Sequence, residues 1–199
     1  PAKIEGIEAR AFDYEKPEEL ASALEGIETL LLISGNEIGS RARQHKNVIS
    51  AAEKAQVKRI VYTSILRADS SQISLAGEHL TTELRLKSSG LSYTILRNGW
   101  YTENYTASIP GALQGGAFIG SAADGKIASA SRIDYAEAAA VVLTEAGHEG
   151  QTYELAGDEA YTLSKFAQEI SKQSGKDIPY QNLAENDFAQ ALKSFGIPD

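Results

Sequence analysis

The residues of this chain best suited to chemistry stand at the ends of short apolar runs. Asp13-Tyr14, Ser34-Gly35-Asn36, Tyr62-Thr63-Ser64 and Asn98-Gly99-Trp100-Tyr101 each close a stretch with strand character. Any single strand end is often polar simply because it reaches water. Four together point to a bound ligand, because ligands of open parallel sheets sit beyond the carboxyl ends of the strands. A second candidate is the run Glu78-His79-Leu80-Thr81-Thr82-Glu83, where Glu83 stands one helical turn from His79 and would orient or charge it. The plainer and favoured reading of that spacing is an exposed pair on a helix surface. His45, within the basic stretch Arg41, Arg43 and Lys46, and His148, in a Gly-flanked loop, have no second ligand at metal spacing. No metal centre is expected. Glu18-Glu19 reads as solvated charge, and with no Cys the chain has neither a thiol nucleophile nor a disulfide.

The elements that must position these residues follow from periodicity. Ile7 to Phe12 alternates apolar and polar residues and predicts a strand closed by Asp13-Tyr14. A helix is predicted from about Pro17 to Leu24, with Pro in its first turn. The continuous run Thr29 to Ser34 predicts a central parallel strand covered on both faces. A helix over about Arg41 to Ala55, a strand Arg59 to Thr63, a helix from about Leu75 to Lys87 and a strand Ser92 to Arg97 come next. Strands alternating with helices of this length imply a parallel, doubly wound α/β sheet with right-handed crossovers. Beyond Gly115-Gly116 the spacing changes. Short strands are expected near Ala117 to Ile119 and Thr152 to Leu155, and helices near Asp134 to Ala146, Thr162 to Ser174 and Glu185 to Ser194. The expected division is therefore a main domain over 1–112 and a small α+β subdomain over 113–199, with some strands returning to the main sheet.

Composition agrees with a folded, soluble protein. The 199 residues are 42% hydrophobic and 23% charged, and the mean hydropathy is -0.27. No apolar run approaches the roughly 20 residues that span a bilayer, and no secretory pattern opens the chain. Nineteen basic against 27 acidic residues give a net charge of -8, which disfavours broad nucleic-acid binding. The chain opens Pro1-Ala2-Lys3, contains no Met and ends Ile197-Pro198-Asp199, so further residues are expected at both ends.

Several separated motifs carry a resemblance. Leu96-Arg97-Asn98-Gly99-Trp100-Tyr101-Thr102-Glu103-Asn104-Tyr105, Asp124 to Ala130, Ala146 to Gly150 and Tyr153 to Gly157 resemble the NmrA-like atypical short-chain dehydrogenases, in particular their bacterial quinone-reducing members. The resemblance implies a Rossmann-like fold, NADPH as cofactor, a quinone as substrate in a cleft between domain and subdomain, and a cytoplasmic enzyme; a homodimer is left open. It implies that Asp13 and Tyr14 border the adenine and that Ser34, Gly35 and Asn36 run beside the ribose and pyrophosphate. Tyr62, Thr63 and Ser64 would approach the nicotinamide ribose. Asn98, Gly99, Trp100, Tyr101, Thr102 and Glu103 would close over the nicotinamide, with Trp100, Tyr101, Asn104 and Tyr105 toward the quinone. Core packing is the competing reading for Trp100.

The departures from the family pattern are as specific. The family's first strand and G-x-x-G-x-x-G turn, which hold the pyrophosphate on backbone N–H groups, are absent from these residues. The family's Arg for the 2′-phosphate would fall just before Pro1, leaving Lys3 as a second partner, and the loop from Lys3 to Gly6 is short. Weak NADPH binding by these 199 residues alone is the expectation. The catalytic Tyr-x-x-x-Lys of classical members is missing from the helix that holds His79, which falls near a functional Lys of some relatives and is the one catalytic candidate. The literal match Tyr161-Thr162-Leu163-Ser164-Lys165 opens a subdomain helix and is read as coincidence, with Thr162 as a cap. Lys126 is read as a solvated loop charge. A missing acid is tolerable for a quinone, since the product is phenol-like with a pKa of about 10. The alternatives are a dinucleotide sensor of the NmrA type without catalysis, and an inert fragment.

Overall fold

The structure, a computed structural model, describes residues 5–194. Lys3 lies outside the described residues. In chain order the elements are α1 (Pro17–Ala23), β1 (Thr29–Leu32), α2 (Arg41–Lys54), β2 (Arg59–Ile65), α3 (Ala76–Lys87) and β3 (Ser92–Asn98). Then come α4 (Glu103–Thr106), α5 (Ile109–Gly115), β4 (Phe118–Gly120), β5 (Lys126–Ile127), α6 (Arg132–Thr144) and β6 (Thr152–Leu155). β7 (Tyr161–Thr162), α7 (Leu163–Ser174), β8 (Tyr180–Asn182) and α8 (Glu185–Ser194) complete the series.

The main sheet is four-stranded, parallel throughout, in the order β1-β2-β3-β6. Period-two alternation sorts its side chains onto two faces. Leu30, Leu32, Ile60, Tyr62 and Ile95 join a core with Leu20, Val48, Ile49, Ala52 and Leu86 of the three helices that precede β3. Leu31, Val61 and Leu96 point the other way and meet Ala139, Val142 and Leu143 of α6. Helices thus cover both faces, as the near-continuous apolar strands require. α2 buries Arg41, Gln44, His45, Val48, Ile49, Ala51 and Ala52, an inward stripe at helical spacing that begins with three polar residues.

Two compact units divide the chain without a single cut. One comprises the residues up to Asn98 with Tyr135–Leu155, and the other comprises Gly99–Asp134 with the residues from Ala156 onward. The second unit has its own core, built on Ala112, Phe118, Leu163, Ala167, Ile170 and Ile178. β4 and β8 pair in parallel, and β5 and β7 pair antiparallel. α7 is capped by Thr162, whose hydroxyl accepts the Lys165 N–H, and stopped by Gly175 in the left-handed region at φ 69°.

One predicted element is corrected. Residues 7–12 form no strand. Ile7 is 64% exposed, and among the described residues no strand pairs with the segment. Alternation makes a residue pattern compatible with a strand, but the ladder needs a neighbour. α4, α5, β5, β7 and β8 are additions that their shortness hid from periodicity.

Candidate functional site

Parallel pairing in register sets the carboxyl ends of β1, β2, β3 and β6 side by side along one edge of the sheet. Leu32 stands opposite Tyr62, Ile65 opposite Asn98, and Asn98 opposite Leu155. Ser34, Thr63, Ser64 and Asn98 therefore share that edge. The chain leaves it after β1 through a loop, residues 33–40, that is held from within. Tyr14 donates its hydroxyl to the Ile33 carbonyl at 3.3 Å, and the Ser34 N–H is donated to Thr63 Oγ1 at 2.9 Å. The Gly35 N–H is donated to His45 Nε2 at 3.0 Å, and Arg41 Nε donates to the Gly35 carbonyl at 2.6 Å. Asp13 is exposed and accepts the Glu15 N–H at 3.0 Å, while Asn36 is exposed.

The tautomer of His45 follows from its partners. Thr82 donates its one hydroxyl proton to the Glu78 carbonyl at 3.0 Å, so its oxygen accepts from His45 Nδ1–H at 3.0 Å. Nε2 is left as the acceptor for Gly35. Burial, then the neighbouring His79 and Arg41, lower the His45 pKa to about 4, in keeping with that neutral form.

His79 and Glu83 do not form an exposed pair. Both are buried, because positions 79 and 83 fall on the stripe that α3 shares with Ala76 and Leu86. His79 Nδ1 lies 2.8 Å from the hydroxyl of Tyr62, a fully buried residue, and burial followed by Arg41 lowers its pKa to about 4. Burial pushes the Tyr62 phenol up. Glu83 turns to Arg97 instead, accepting from Nε at 2.9 Å and Nη2 at 2.7 Å, while Ser64 Oγ donates to it at 2.6 Å. Arg97 also reaches Asp69 at 3.0 Å and Glu154 at 2.8 Å. Next to it, the buried Asn98 Oδ1 has no hydrogen-bond partner among the described residues.

In the second unit, the segment that follows β3 is tied mainly by its backbone. Ala130 N–H donates to the Trp100 carbonyl at 3.2 Å and Thr102 N–H to the Ala130 carbonyl at 2.9 Å. The Arg132 guanidinium lies 4.9 Å from the centre of the Tyr101 ring. Glu103 accepts the Arg132 N–H at 2.9 Å, and Arg132 Nη2 donates to Asn104 Oδ1 at 3.4 Å. Trp100 is 44% exposed, so it is not a core residue, and Gly99 is partly buried. Tyr105 packs on Phe166. Thr102, Ser129 and Tyr161 form a row of hydroxyls with spacings of 2.8 and 2.6 Å.

Comparison with known proteins shows the family to which the chain belongs. A family model described as NAD(P)H-binding matches residues 1–146. Quinone oxidoreductase 2 of Escherichia coli K12 is 62% identical over 204 aligned residues, covering 100% of this chain and 71% of that protein. The chain belongs to the NAD(P)H-binding, NmrA-like oxidoreductases. A further relative, an NmrA-like family domain-containing oxidoreductase of Aspergillus flavus, is 32% identical over 94% of this chain and 62% of its own length. Among solved structures, NADPH-dependent quinone oxidoreductase from E. coli, complexed with NADPH, superposes at a TM-score of 0.94 with 61% identity, over 98% of this chain and 69% of that one. Triphenylmethane reductase of Citrobacter sp., complexed with NADP(H), does so at 0.93 with 37% identity, over 98% and 69%.

The residues present fit a dinucleotide at the strand ends. Asn98 Oδ1 is a buried acceptor lacking a partner among the described residues, at the edge where such ligands bind. Arg41, Thr82 and the buried role of His45 escaped sequence reasoning; the one signal for Arg41 and His45 was the spacing on α2 that aligns 41, 45, 48, 49 and 52, and for Thr82 the spacing on α3 that aligns 79, 82, 83 and 86. Among the described residues no group of three His, Cys, Asp or Glu could hold a metal ion, and no helix is long and apolar enough to cross a membrane.

Proposed function

We propose that this protein reduces quinones with NADPH as hydride donor. The observation that carries the reading is the 62% identity, along the whole chain, to a protein named quinone oxidoreductase 2. NADPH, when bound, supplies the hydride. In this reading Asp13 and Tyr14 border the adenine, Ser34, Gly35 and Asn36 line the ribose and pyrophosphate, and Thr63 and Ser64 approach the nicotinamide ribose from an edge that Tyr62 supports. Asn98 to Glu103 hold the nicotinamide, the side-chain Oδ1 of Asn98 taking a donor from it. Trp100 and Tyr101 offer flat faces to the quinone, with Asn104 and Tyr105 beside them. The division into a dinucleotide domain over 1–112, to whose sheet β6 returns, and a substrate subdomain over the rest of 113–199, and a cytoplasmic location, belong to the same proposal. His79, neutral near pH 7 and engaged with Tyr62, is assigned to holding that tyrosine. The acid it would have supplied is dispensable, because the hydroquinone anion is no more basic than a phenolate.

The test is NADPH oxidation by the whole protein with and without benzoquinone or naphthoquinone. Quinone-dependent oxidation is expected. Trp100→Ala or Tyr101→Ala should lower turnover about tenfold or more, a larger change than in the NADPH dissociation constant. Undiminished turnover in both variants refutes the assignment of the aromatic segment, and NADPH binding without oxidation of any quinone favours a sensor.

A further inference from the structure

We propose that His45 and Arg41 are positioning residues for the dinucleotide: from inside the fold they hold the N–H and the carbonyl of Gly35, and with them the peptide groups on either side of it, and so present the Ser34–Asn36 loop in one backbone conformation. The inference rests on the reading of the strand ends as the NADPH site and deepens it.

The two residues stand one turn apart on α2, Arg41 4% and His45 0% exposed. Cores do not need an arginine and a histidine at such places; burial of either is unfavourable unless every polar atom finds a partner. Here the partners converge on one loop. His45 Nε2 accepts the Gly35 N–H at 3.0 Å, and Arg41 Nε donates to the Gly35 carbonyl at 2.6 Å. Arg41 Nη1 reaches Glu78 at 3.1 Å, and the other oxygen of that carboxylate accepts the Gly39 N–H at 3.0 Å. Thr82 fixes the imidazole from behind. With Tyr14 on the Ile33 carbonyl and Thr63 on the Ser34 N–H, every residue from 33 to 35 has a backbone group fixed by a side chain. The same stretch is flanked by exposed Ile33, Asn36 and Ile38, so its own side chains do not anchor it in the core. A loop ordered in advance loses no such freedom when a ligand arrives, which strengthens binding without a direct contact. Neither residue touches the cofactor in this scheme, so the effect falls on NADPH affinity and not on hydride transfer.

The experiment compares wild type with His45→Leu, which removes the acceptor at similar volume, and His45→Gln, whose carbonyl oxygen restores one. Readouts on the whole protein are the NADPH dissociation constant, KM and kcat, and hydrogen exchange at the Gly35 amide. His45→Leu is expected to raise the dissociation constant and KM for NADPH about tenfold, the equivalent of one buried hydrogen bond. In that variant kcat and the KM for quinone should change less than about twofold while Gly35 exchanges faster; His45→Gln should recover most of the affinity. Wild-type affinity in folded His45→Leu, or a His45→Gln no better than His45→Leu, overturns the inference and leaves the quinone-reductase reading intact. If His45→Leu does not fold, Arg41→Met takes its place, and unchanged affinity there overturns the inference equally. A wild-type protein that binds no NADPH overturns both.

Discussion

The strand-end region and the Gly99–Glu103 region are held by different means. At the strand ends, buried ionic and imidazole side chains do the holding: Arg97 between Glu83, Asp69 and Glu154, Arg41 and His45 on Gly35. In the second unit, the segment from Trp100 to Thr102 is tied by backbone bonds to Ala130, and by hydroxyls and a guanidinium at partly exposed positions. Buried polar holding is unforgiving, since one lost partner strands another in a medium of low dielectric. Backbone and surface holding degrades gradually. The strand ends should therefore be the brittle half of this protein and the aromatic segment the tolerant half.

The largest test of that contrast is Arg97→Leu. It leaves Glu83, at 0% side-chain exposure, without its cation, and should lower unfolding free energy by about 3–5 kcal/mol in urea titrations. Adding Glu83→Leu should recover part of the loss. A single-variant loss below about 1 kcal/mol would mean that the network contributes no more than a surface pair.

A second test uses pH. His45 and His79 each have a folded pKa lowered from 6.5 to about 4, so between those values the unfolded chain binds more protons. Stability is then complete above about pH 6.5 and is lost as pH falls toward 4, with a slope of up to about 1.4 kcal/mol per pH unit for each histidine. His45→Gln should flatten that slope.

Smaller effects are expected in the second unit. Gly157→Ala would set a methyl 2.2 Å from the Ser129 carbonyl oxygen and should cost about 2 kcal/mol by thermal denaturation. Thr162→Ala removes the cap of α7 and should cost about 1 kcal/mol. Equal or larger losses from Thr162→Ala than from Arg97→Leu would reverse the ranking of the two regions.

Much of this was legible before any coordinates. The leucine run at 29–32 and the apolar stripe Val48, Ile49 and Ala52 could hardly be read otherwise than as strand and helix, and Thr162 was recognisable as a cap. The stretch 7–12 carried an equally regular alternation and forms no strand, because pairing depends on a neighbour that the pattern cannot supply. His45 showed the opposite failure. Within the basic stretch of Arg41, Arg43 and Lys46 it was weighed only as a metal ligand and set aside, and it is fully buried.

The order of residues thus determined the apolar strands β1, β2 and β3 and the longer helices, and that alternating βα units would line the polar ends at Ser34, Tyr62–Ser64 and Asn98 along one edge, because hydrophobic periodicity and chain connectivity are local properties. It also carried the family motifs. Only the tertiary structure decided which polar side chains face inward and what compensates them. A buried charge or imidazole is stable solely by virtue of partners far off in the chain, as Arg97 is by Glu83 and Gly35 is held by His45.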